Sequence, residues 1–101
     1  MSNESKPKHQ MKITIQADEQ EKQGRYSNMA MVSHTAEEFV ADFLMVVSQP
    51  PYGKLQSRIV MSPGNAKRFQ QALARHIEHY EKNFGPIREP SAPSGVPEIV
   101  H

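Results

Sequence analysis

Cysteine is missing from this chain altogether. Its absence excludes disulfide staples and thiolate metal sites, and it favours a reducing compartment. An excess of one charge sign is missing too. Lys and Arg number 12 against 11 Asp and Glu, for a net charge of +1. Bulk charge therefore argues neither for nucleic acid nor for an anionic membrane. Long hydrophobic runs are also absent. The longest, FLMVV at residues 43–47, falls far short of the ~20 residues a membrane span needs. The opening MSNESKPKHQ has no apolar stretch of the kind a secretory signal carries. A soluble, cytoplasmic protein with no membrane partner is the expectation.

A chain of 101 residues makes one domain at most. Residues 1–10 are polar and read as a disordered N-terminal tail. The stretch GPIREPSAPSGVPEIVH, residues 85–101, is rich in proline and glycine, which resist both helix and ladder pairing. Residues 86–101 thus read as a disordered tail, although the less polar PEIVH at its end has the makings of a docking segment. A single α+β domain is left at residues 11–85. A core of that size is marginal alone, and such chains often gain stability from a partner subunit.

MKITIQA, residues 11–17, alternates strictly between apolar and polar, as a half-buried strand does. DEQEKQG, residues 18–24, reads as a charged loop ending in glycine, and RYSNMAMVS, residues 25–33, as a second strand. The clearest element lies at residues 62–85. Ser62 suits an N-cap and Pro63 the first helical position. Ala66, Phe69, Leu73, Ile77, Tyr80 and Phe84 recur at helical spacing, which predicts one apolar, core-forming face. Gly85 and Pro86 stop the helix, with glycine expected in a left-handed C′ conformation.

SHTAEEFVADFLMVVSQPP, residues 33–51, supports two readings. Thr35 and Glu38 form the T-x-x-E box that starts helices. Helical winding of residues 36–47 would also align Phe39, Val40, Phe43, Leu44 and Val47. The same residues are rich in β-branched and aromatic types and end at Pro-Pro, like a strand. KLQSRIVM, residues 54–61, tips the balance. It is too short for a helix and needs a ladder partner, which a hairpin through SQPPYG supplies. In the register where facing numbers sum to 100, Asp42 meets Arg58 and Val40 meets Val60. The strand is therefore expected, with the box absorbed into a turn.

YSN at 26–28, VSHTAEEFVADF at 32–43, SRIVMSPGNAKRF at 57–69 and YEKNFG at 80–85 together resemble a family of small bacterial and archaeal proteins known as domain of unknown function 3467. The resemblance covers nearly all of residues 11–85. It implies a compact standalone protein and brings no activity or catalytic residues.

His76 and His79 form H-x-x-H on the helix, but no third ligand follows at matching spacing, so two solvent-facing or interface histidines are expected and no metal. Asp42 among apolar neighbours suits a structural ion pair better than a catalytic acid. His34 reads as a turn residue, with no nucleophile placed beside it. Lys67, Arg68, Arg75 and Lys82 make a mildly basic helix stripe that Glu78 and Glu81 interrupt, and Glu78 and Lys82 are spaced as an i, i+4 pair. SPGN at 62–65 lacks the spacing and lysine of a phosphate loop. No catalytic or cofactor-binding set is visible, so no enzyme is expected.

Both rows of the third expected strand are largely apolar, and one helix covers one sheet face. The other face, with Met29, Met31, Val40, Asp42, Leu44, Val46 and Arg58, is the expected oligomer interface. The fold expected is an antiparallel sheet of about four strands followed by one long C-terminal helix, assembled as a dimer or higher. The functional expectation is a homo-oligomeric protein-interaction or adaptor module that binds itself and another protein. One variant would accept extended segments by strand addition. The alternative, a small nucleic-acid-binding regulator, rests on the helix stripe alone.

Overall fold

A computed structural model describes residues 10–89. Residues 1–9 and 90–101, which hold most of both expected tails and all of PEIVH, lie outside the described residues. The elements are α1 (Glu19–Gln23), β1 (Met29–His34), β2 (Phe39–Ser48), β3 (Pro51–Met61) and α2 (Pro63–Phe84). The class is α+β, three antiparallel strands in the order β1-β2-β3 and then a C-terminal helix. Two compact units divide the chain. Among the described residues, one comprises 10–31 and 41–58, the other 32–40 and 59–89.

Among the described residues the sheet has three strands, not four. Residues 11–17 run outside any ladder, with Ile13 and Ile15 72% and 87% exposed. Their alternation specifies a face to bury, but alternation supplies no partner edge. The charged run after them is not a loop, because it forms α1. Asp18 accepts the Glu21 N–H at 2.7 Å, and the Glu21 carboxylate accepts the Asp18 N–H at 2.9 Å, a complete capping box. Gly24 ends α1 at φ +77, where a Cβ would be strained.

β2 is a strand throughout, which disposes of the helical alternative. Thr35 still caps, since its Oγ1 accepts the Glu37 and Glu38 N–H groups at 3.1 and 3.3 Å. Its own N–H donates to the Glu38 carbonyl at 2.9 Å and so closes the β1–β2 hairpin. The side-chain half of a capping box is thus used in a turn. β1 starts at Met29, later than the expected strand at 25–33, and β3 starts at Pro51, earlier than the expected 54.

α2 runs for 22 residues, about 33 Å, as its sequence dictates. The Ser62 hydroxyl accepts the Asn65 N–H at 3.1 Å, and Pro63 opens the helix. At its end the Gly85 N–H donates to the Glu81 carbonyl at 2.9 Å, and the Ile87 N–H donates to the Glu81 carboxylate. Gly85 has φ +94 with ψ 173, so its backbone is positive in φ but extended in ψ, not the left-handed helical C′ expected.

Burial is scarce. Among the described residues only Ala41 and Asp42, both on β2, are buried. Residues 43–47 on both rows of β2 are half-buried. The apolar face of α2, expected as core, is not core within one chain. Phe69, Leu73, Ile77 and Tyr80 keep 40–49% of their surface in solvent, and Phe84 keeps 75%. The helical period aligned these residues correctly, but a shared face becomes core only where something covers it.

Candidate functional site

The most constrained side chains surround Asp42. Arg58 Nε donates to Asp42 Oδ1 at 2.7 Å and Nη2 donates to Oδ2 at 2.9 Å, a fork-on-carboxylate contact. Such contact requires both side chains to leave the same face of β2 and β3, as the sum-of-100 register requires. The carboxylate raises the basicity of the guanidinium, chiefly by accepting its hydrogen bonds and secondarily by its charge. Asp42 is buried, whereas Arg58 lies open to water.

Residues 25–28 act as a clasp in the same unit. Arg25 Nη1 donates to the Gln56 carbonyl at 2.8 Å, and Gln56 Nε2 donates back to the Tyr26 carbonyl at 2.9 Å. Ser27 Oγ donates to the Leu44 carbonyl at 3.0 Å, and the Asn28 N–H donates to the same oxygen, also at 3.0 Å. The Asn28 carboxamide then takes both main-chain groups of Val46. Its Nδ2 donates to the carbonyl at 2.9 Å and its Oδ1 accepts the N–H at 2.8 Å. An amide side chain carries one donor and one acceptor in the geometry of a peptide group, so Asn28 stands in for a strand neighbour. Sequence reading missed Arg25, Asn28 and Gln56 in this role. Three polar residues at the start of an expected strand, YSN, were the available signal.

Of the expected interface residues, Met29, Met31, Asp42, Leu44, Val46 and Arg58 fall in one compact unit and Val40 in the other. Met29 and Met31 are half-buried while Ala30 and Val32 are exposed, so β1 turns its methionines inward. Leu44 and Val46 are half-buried, as is Val40.

The remaining candidates scatter. His76 and His79 are exposed on α2, with His79 Nδ1 3.4 Å from Asn83 Nδ2. Among the described residues no group of three or more His, Cys, Asp or Glu side chains converges in a way that could hold a metal. His34 stacks on Phe39 across the β1–β2 turn, centroids 5.2 Å apart. Lys67, Arg68, Arg75 and Lys82 are all exposed. The ion pairs among the described residues are Lys22–Glu19 and Arg58–Asp42, so Glu78 and Lys82 do not form theirs. No helix among the described residues is long and apolar enough to cross a membrane.

Residues 1–89 match the family described as Protein of unknown function (DUF3467). The chain belongs to this family. The DUF3467 match extends over the sheet, the clasp and α2, and so includes the motifs that carry the resemblance. No curated protein and no solved structure matches the chain.

Proposed function

We propose that the chain is a homo-oligomeric protein-interaction module without catalytic chemistry of its own. The observation that carries this reading is the half-exposed apolar face of α2, in a chain whose described residues bury only Ala41 and Asp42. Full burial of a large apolar side chain contributes about 1.5–3 kcal/mol. Covering the open surface of Phe69, Leu73, Ile77, Tyr80 and Phe84 is therefore worth roughly 4–8 kcal/mol per copy. A two-fold contact buries the face twice, which exceeds the lower estimates of ~4 kcal/mol for lost freedom on association. Within one unit, the expected interface residues Met29, Met31, Asp42, Leu44, Val46 and Arg58 offer a second surface of the same kind, with the half-exposed ion pair giving it register. In this reading the chain is a cytoplasmic adaptor that binds itself first and another protein through what remains open.

Light scattering at micromolar concentration tests it. At least twice the 11.4 kDa chain mass is expected. A well-folded monomer overturns it. So does tight binding to random-sequence duplex that weakens steeply with salt, which would move the function to the basic stripe of α2.

A further inference from the structure

Residues 11–17 have the pattern of a strand and the surroundings of a loose end. Met11, Ile13 and Ile15 fall on one row and are 79%, 72% and 87% exposed. Among the described residues, no hydrogen bond within the chain reaches the main chain of residues 11–17. Seven residues therefore present a complete set of ladder donors and acceptors together with a complete apolar row.

The sheet ends in two edges, and they differ. β3 is defended. Pro51 has no N–H to offer, Lys54 brings positive charge, and the Gln56 carbonyl already holds the Arg25 guanidinium. Lys12 in the segment would meet like charge there. β1, MAMVSH, has no proline and no Lys, Arg, Asp or Glu. Among the described residues, the one side chain bonded to its main chain is Ser27, whose hydroxyl shares its single proton between the Met29 carbonyl, at 2.9 Å, and the Leu44 carbonyl. Its six residues are one fewer than the seven of the segment.

The clasp decides whose edge the segment reaches. Arg25 and Tyr26 are tied to Gln56 on β3, the strand farthest from β1 in the order β1-β2-β3. The chain therefore leaves on the β3 side, and α1 and its flanking residues stand between this clasp and the segment. We propose that residues 11–17 of one copy add as a fourth strand to the outer edge of β1 in a second copy. This proposal rests on the self-association proposed above and specifies how it is made. Exchange about a two-fold axis places two strands at once, each completing a four-stranded sheet. That brings the contact toward the ~1,200 Å² at which stable interfaces begin.

The experiment mixes equal amounts of isotope-labelled and unlabelled full-length chain and records isotope-filtered nuclear Overhauser contacts. Expected are intermolecular cross-peaks between residues 11–17 and residues 29–34. Ile13→Pro with Thr14→Pro removes an N–H from each orientation of the segment, so a ladder donor is lost in any register. That variant should fall to a lower mass, or dissociate at least about tenfold more readily, with its helical circular dichroism intact, because nothing described in the chain bonds to the segment. Contacts within one chain only, no contacts, or an unchanged mass for the proline variant overturn strand exchange. If the wild type is then still oligomeric and Leu73→Glu dissociates it, α2 alone makes the assembly and the proposed function stands. A monomeric wild type removes both.

Discussion

Arg58 grips Asp42 with two donors, at 2.7 and 2.9 Å, and the two ends of this pair sit in different surroundings. The aspartate side chain is 10% exposed and the arginine 55%. Losing either partner therefore has unequal consequences. Arg58→Met takes the fork away from a carboxylate that stays buried, whereas Asp42→Leu frees a guanidinium that is already in water. The larger drop in denaturant midpoint is expected from Arg58→Met. The double variant should recover part of it, giving a coupling outside error in a double-mutant cycle. Strictly additive losses would show that the pair contributes nothing as a pair. Because the folded state raises the arginine's affinity for its proton, the arginine's own part of this contribution is in place below the ordinary arginine range and falls away as pH rises beyond it. Arg58 adds no pH dependence to stability near neutrality.

The helix face separates folding from assembly. With about half of its surface still open, Phe69→Ala or Leu73→Ala should cost roughly 1–2 kcal/mol in dilute chain. The loss should grow at high concentration, where association covers the face. Chemical denaturation at 1 µM and at about 100 µM checks this, since the midpoint of an associating chain rises with concentration. Lys67→Ala and Arg75→Ala should change neither midpoint beyond ~0.5 kcal/mol.

Asn28→Ala deletes both bonds to the Val46 peptide and should cost about 1–3 kcal/mol, at ~0.5–1.5 for each bond. Asn28→Asp keeps the acceptor for the Val46 N–H but turns a carboxylate oxygen toward the Val46 carbonyl. Thermal melts should place it nearer the alanine variant than the wild type. An aspartate variant as stable as wild type would mean that the donor half of the contact is idle.

Two glycines should respond in opposite directions. A Cβ at Gly64 or Gly85 would meet nothing within 4 Å, so space is not at issue. Gly85 is held at φ +94, and Gly85→Ala should lose about 1–3 kcal/mol to backbone strain. Gly64 lies in the first turn of α2 without positive φ, and Gly64→Ala should gain ~0.4–1 kcal/mol by restricting the unfolded chain. Urea midpoints moving the same way for both would refute the distinction.

The legible parts of the sequence were those whose signals are local and redundant. Ser62, Pro63 and Gly85 bracket α2 to the residue, because cap chemistry acts within one turn. The β2–β3 hairpin was legible through one charge pair, since Asp42 and Arg58 fit a single register. Thr35–Glu38 and Asp18–Glu21 carry the same spacing, yet only the second opens a helix. After Thr35 the chain meets a run of β-branched and aromatic residues that needs an extended partner. After Asp18 it meets five residues, Glu19–Gln23, that do not. Residues 11–17 misled for another reason. Period-two alternation records that a segment buries one side, and it is silent on whether the burial lies within one chain. The clasp left only the polar run YSN as a signal, because Asn28 works by imitating a peptide, which leaves no trace in hydropathy.

That clasp also fixes where the smallest self-sufficient piece of the protein begins. A chain trimmed to Met29 would retain β1, β2, β3 and α2 by every boundary given above. It would nonetheless leave the Val46 peptide and the Gln56 carbonyl without the partners that Asn28 and Arg25 now supply from across the sheet. The four residues RYSN belong to no element of secondary structure, yet they act as the fastening that holds three strands in order. By this measure a piece that keeps its own sheet fastened must start no later than Arg25, because trimming beyond it removes these bonds one after another.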